Sequence, residues 1–201
     1  MRPINRYLST KIKASDIKAT DETIHQIVKD ELSRLGNDAD LNHIDTSEVT
    51  NMEGLFYYDN IKDCSDINPN ISKWDVSNVT NMYRMFKWCE VFDCDLSWWN
   101  TEKVEEMGSM FWGCKKFNSD LFKWDVSKVK NMNYVFYHCE SFNQDLSQWN
   151  VSNVETMYKM FYKCLSFNQD ISMWNVKNTK YHSSMFDDCP IKEEFKPKFK
   201  K

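Results

Sequence analysis

Glycine is scarce in this chain, with only four residues, at positions 36, 54, 108 and 113. Neither a G-x-G-x-x-G turn nor a phosphate-cradling loop can be written from them, and no repeated glycine supplies the loops with which some β-solenoids hold calcium. The seven cysteines contain no C-x-x-C pair, which removes the usual zinc and redox motifs. His25, His43, His138 and His182 share no metal-ligand spacing, and a His138–Cys139 nucleophile is excluded because neighbours on a helix point to different faces. The chain is therefore expected to be no enzyme and to need no cofactor or metal. No run approaches the roughly 20 apolar residues of a membrane span. The opening MRPINRYLSTKIKASDIKAT has the basic start of an export signal without its apolar stretch. A cytoplasmic location is the resulting expectation, with the extracellular surface as the alternative. A formal charge of −4 and a pI near 5.6 give no global attraction to nucleic acid, so no nucleic-acid partner is expected.

What the sequence has in abundance is an internal repeat. Trp74, Trp99, Trp124, Trp149 and Trp174 are spaced by 25, as are Phe86, Phe111, Phe136, Phe161 and Phe186. Met82, Met107, Met132 and Met157 keep the same step, and so do Phe92, Phe117, Phe142 and Phe167. A degenerate first copy starts at Leu41, with five extra residues inside YYDNIKD before Cys64. Met82, Met85, Phe86 and Cys89 stand at i, i+3, i+4 and i+7, the apolar face of a two-turn helix. The preceding segment, for instance Asp145 to Trp149, is too short for a helix and reads as a brief parallel strand running into a bend. Ile24, Ile27, Val28, Leu32 and Leu35 mark an amphipathic capping helix between Thr20 and Gly36. The expected fold is thus α/β: a leucine-rich-repeat-like solenoid with one short parallel strand and one short helix per 25-residue rung, behind an N-terminal helical cap. Residues 1–40 form the extension and cap, 41–189 about six rungs, and 190–201 a loose basic tail.

With the unit written out, FNQDLSQWNVSNVETMYKMFYKC and its sister copies resemble the repeats of BspA-like surface proteins, the group that includes the mycoplasma lipoprotein-associated repeat. The resemblance covers residues 41 to 189. It implies a leucine-rich-repeat relative and a binding role, adhesion among them, and it brings no catalytic residues.

Cys64, Cys89, Cys114, Cys139, Cys164 and Cys189 fall on the apolar face and read as small packed hydrophobes, leaving Cys94 as the expected exposed thiol. The Asp95, Asp120, Asp145, Asp170 column and the Asp75, Asn100, Asp125, Asn150, Asn175 column read as bend residues that satisfy backbone donors. At outward positions packing does not demand large rings, which either anchor a partner or lie flat over neighbouring rungs and shield the core. Trp112, Tyr137 and Tyr162 make one outward column, with Tyr134 and Tyr158 beside it and Tyr83 and Trp88 one rung earlier. These seven are the partner-binding candidates, as aromatic interface anchors. Arg84, Lys87 and Lys159 interleave with them, while Glu102, Glu105 and Glu106 interrupt the basic pattern and argue against a nucleic-acid stripe. The expected function is a non-enzymatic scaffold that binds a protein partner through its repeat surface. An adhesin-like or carbohydrate-binding surface module is the alternative, because Trp and Tyr also stack on sugar rings.

Overall fold

A computed structural model describes residues 17–57, 60–61 and 63–200. The five-residue expansion of the first copy falls partly on Tyr58, Asp59 and Lys62, outside the described residues, as do residues 1–16. Strand β1 (Ile17–Lys18) pairs in parallel with β2 (Ile44–Asp45), and helix α1 (Ile24–Leu35) lies between them in sequence. A 3-10 turn, Glu193–Phe195, comes near the other end. The capping helix is thus present.

The leucine-rich-repeat-like solenoid with a helix and a strand per rung is not. Among the described residues α1 is the one α-helix, and the two strands are two residues each in a single pair. The segment read as a rung helix is a chain of tight turns. Met85, Lys87 and Cys89 each donate their N–H to the carbonyl three residues back. The alternate N–H groups leave the rung altogether: Met82, Arg84, Phe86 and Trp88 donate to Glu106, Gly108, Met110 and Trp112 of the next copy, at 2.7–3.0 Å. An α-helix would instead bond Phe86 to Met82. Left-handed residues enforce the difference, because Arg84 (φ 57°) and Trp88 (φ 67°) stand four apart, and equivalents recur at Ser109 and Gly113, Tyr134 and His138, and Lys159 and Lys163. Two turns of isolated helix are too short to repay nucleation, whereas each cross-rung bond is supported by its neighbours. The expected strand is also displaced. The Asp145 to Trp149 segment is a turn closed by Trp149 N–H on the Leu146 carbonyl at 3.1 Å. The parallel contacts between rungs are single-residue bridges along Asn51, Asn81, Glu106, Asn131, Thr156 and Tyr181.

The apolar spacing survives this change of backbone, because turns closed three residues back bury the same positions a helix would. Met82, Met85, Phe86 and Cys89 are fully buried. The core consists of files of rings. Phe56, Phe86, Phe111, Phe136, Phe161 and Phe186 follow one another at 5.3–5.8 Å, and within a rung Phe136 lies 4.2 Å from Phe142. Each tryptophan of the Trp74 column donates its indole N–H to a carbonyl of the preceding rung at 2.9–3.3 Å, so the one polar atom of a buried ring is satisfied. At the C-terminal end the expected loose tail is a cover. Ile191 is buried, Phe195 and Phe199 pack on the core, and the Phe195 carbonyl accepts the Ile171 N–H at 3.0 Å.

Candidate functional site

The polar columns are absorbed by the backbone. Asp75, Asp95, Asp125, Asp145 and Asp170 each accept the N–H two residues on at 2.8–3.0 Å, closing Asx turns. A second file, Asn68, Asp93, Asn118, Asn143 and Asn168, accepts N–H groups of the following rung at 2.8–3.0 Å. The thiols of Cys89, Cys114, Cys139 and Cys164 donate to phenylalanine carbonyls one rung back at 2.8–3.5 Å, and burial pushes their pKa well above the ordinary thiol value. Cys94 is not the exposed thiol. It is buried, its sulfur accepts the Ile71 N–H at 3.4 Å, and burial raises its pKa. Cys189, in the last copy, is the more accessible one.

The outward columns form a different kind of surface. The residues between the buried Met82, Met85, Phe86 and Cys89 recur as a strip along the stack: Tyr83 and Arg84, half-buried, then the buried Lys87 and the exposed Trp88. Trp112 sits at its centre, stacked 4.8 Å from Tyr134, tilted 4.9 Å from Tyr137 and 5.9 Å from Trp88. Tyr137 stacks on Tyr162 at 4.9 Å, and Tyr158 meets Tyr134 edge-on at 5.3 Å. Six of the seven candidate rings are therefore in contact. Tyr83 is not among those contacts and lies 4.6 Å beneath the Arg84 guanidinium. Trp88 is exposed and the others are half-buried. Gly113 makes the Trp88 placement possible: a Cβ there would stand 2.6 Å from the indole Cε3, at a φ of 81°.

Cations are woven through this strip. Lys87 Nζ lies 4.1 Å over Trp112 and 5.1 Å over Tyr57, and Lys159 Nζ lies 5.1–5.3 Å over Tyr158 and Tyr162. Lys163 Nζ lies 5.7 Å over Tyr162. The Tyr158 hydroxyl beside Lys159 raises that ammonium's pKa, while burial and then Lys163 lower that of His138. Burial raises the Tyr134 phenol. Two buried side-chain donors among the described residues lack an acceptor, Arg84 Nε and Trp112 Nε1, and both belong to this strip. Sequence reading found the rings but not Lys163 or His138, whose shared column also holds Trp88 and Gly113 and so shows no uniform chemistry. It also placed three glutamates among the cations. Glu105 instead lines another surface, and Glu106 Oε1 accepts the Gly108 N–H at 2.6 Å.

Concavities also occur among the described residues. A groove of about 590 Å³ is lined by Glu105, Lys130, Glu155 and Lys180 together with Lys128, Asn153 and Lys177. Along the Glu105, Lys130, Glu155, Lys180 file the charges alternate rung by rung, as in the 3.2 Å Lys180–Glu155 pair, while Lys128 and Lys177 add positive charge. A smaller pocket of about 220 Å³ opens at the N-terminal end of the strip, between His25, Tyr57, Asn60 and Arg84.

The sequence profile described as Mycoplasma protein of unknown function, DUF285, matches residues 26–133 and again 95–198. The chain belongs to the DUF285 family. Two overlapping matches are what a tandem repeat gives, so DUF285 membership accounts for the repeat and for nearly the whole stack. No curated protein and no solved structure matches the chain significantly. DUF285 carries no assigned activity, and membership supports the mycoplasma-type repeat without singling out the BspA-like group. No helix among the described residues is long and apolar enough to cross a membrane.

Proposed function

We propose that the chain is a non-enzymatic interaction module that holds a protein partner on the strip running from Tyr83 and Trp88 through Trp112, Tyr134 and Tyr137 to Tyr158 and Tyr162. One observation carries this reading: six rings in mutual contact across four rungs lie outside a core that already has its own complete files of phenylalanine and tryptophan. Aromatic rings bordered by Arg and Lys are the composition of interface anchors. The proposal goes with a cytoplasmic location, and the second reading below with the extracellular surface.

A second reading, an adhesive or carbohydrate-binding surface module, draws on the likeness of the repeat to BspA-like surface proteins and on a different spot. Sugar stacking needs a ring face open to solvent. In the strip the faces are largely covered by other rings and by lysines, whereas Trp98 is 77% exposed, with Lys123 Nζ 4.6 Å over one side, and Met173 of the same column is 87% exposed.

The test is capture of partners from the native cells by the intact chain and by the variant Trp112→Ser, Tyr137→Ser, Tyr162→Ser, with Trp98→Ser as the second bait. Loss of a wild-type partner from the triple variant alone, with urea transitions still cooperative, is the expected outcome. Loss from Trp98→Ser alone would move the site to the second surface.

A further inference from the structure

Resting on the strip as the binding site, we propose that its partner is an acidic, extended polypeptide segment of about five to seven residues, with carboxylates at both ends and apolar side chains between them. The strip offers donors almost throughout. Arg84 stands at one end and Lys159 and Lys163 at the other, and among the described residues no carboxylate forms an ion pair with any of the three. Arg84 Nε and Trp112 Nε1 are buried just beneath this surface without an acceptor, which adds to its shortage of negative groups. Acids border the strip without pairing with these cations: Glu53 lines the pocket that Arg84 also lines, and Glu140 and Asp188 stand beside His138, where they partly oppose the lowering of its pKa. A partner rich in acceptors and negative charge complements such a surface.

Length follows from the stack. From the rung of Arg84 to that of Lys159 there are three steps, each marked by a phenylalanine spacing of 5.5–5.8 Å. An extended chain rising about 3.3 Å per residue covers that span in roughly five residues. Between the charged ends lie Trp112 and Tyr137, both half-buried and tilted against each other at 4.9 Å, an aromatic surface suited to an apolar side chain. Acidic polysaccharide is the weaker fit, because the ring faces it would stack upon are occupied by Tyr134, Tyr162 and the lysines.

The experiment is fluorescence anisotropy of the labelled peptide Glu-Glu-Leu-Phe-Leu-Glu-Glu against the whole chain, with its Gln-for-Glu counterpart and heparin as comparators. The acidic peptide is expected to bind with a salt-dependent affinity, and the Gln peptide about tenfold more weakly. Lys159→Glu with Lys163→Glu should cost about tenfold, and a peptide carrying Lys at one end should recover binding to that variant alone. Equal affinity for the Gln peptide, or capture of heparin that the acidic peptide does not displace, overturns the proposal. If the acidic peptide fails while the Trp112, Tyr137, Tyr162 variant still loses the native partner, the acidic class is wrong and the binding site stands. If the peptide binds that variant as well as wild type, the site itself is wrong.

Discussion

Cysteine in this repeat works as a small hydrophobe with one weak donor. Each of Cys89, Cys114, Cys139 and Cys164 is enclosed, and its S–H points at a carbonyl of the preceding rung. Losing water disfavours the thiolate, so reactivity falls with burial. With Ellman's reagent the native protein is expected to show Cys189 reacting first and the other thiols only slowly, and the urea-denatured protein all seven cysteines. Rapid labelling of Cys94 would contradict its placement beneath the Ile71 N–H. Burial of the column was legible in the sequence because six cysteines repeat at the spacing of the apolar residues. Cys94 was not: its column otherwise holds Ser119, Gln144 and Gln169, all polar, and the contact with Ile71 joins residues 23 apart.

Between the residue and the whole lies the rung, where the sequence pattern and the backbone part company. Apolar residues at i, i+3, i+4 and i+7 are compatible with a helix and with successive turns closed three residues back, because both return the chain to the same side. What separates them is the left-handed residue at the Arg84 and Trp88 columns. Only Gly54 and Gly113 announce it, while Tyr134, His138, Lys159 and Ser184 adopt the same φ without a sequence signal. Ser184→Gly (φ 56°) distinguishes the two backbones by sign. In the turn chain it should stabilise by roughly 0.5–1 kcal/mol, since glycine is free of left-handed strain. In a helix it would destabilise by about as much. Chemical unfolding of the two proteins reads the difference. Gly113→Ala is the converse case. Its Cβ would meet the Trp88 indole, and a loss of about 1–3 kcal/mol, with a changed tryptophan emission, is expected. An unchanged transition would mean that Trp88 does not lie over Gly113.

At the scale of the molecule, each copy buries its ring files against the next, and both ends are closed. Asp21, just before α1, holds Thr50 and Asn51 by accepting their N–H groups at 2.7 and 3.0 Å. At the far end Phe199 stacks on His182 at 3.8 Å. The repeat, its six copies and the N-terminal cap were readable from a 25-residue period. The C-terminal cover was not, since Phe195 and Phe199 lie outside the period among lysines. The rings of the candidate strip were readable because large aromatics recurred where the core needs none. Its positive character was hidden, because neighbours in sequence such as Glu105 belong to the other groove once the chain has turned. Hydrogen–deuterium exchange of the chain with and without its captured partner tests the central claim most directly. Binding on the strip predicts new protection confined to residues 83–88, 108–113, 133–138 and 158–163. Protection along 128–130, 153–155 and 177–180 instead, or around Trp98 and Met173, would contradict it.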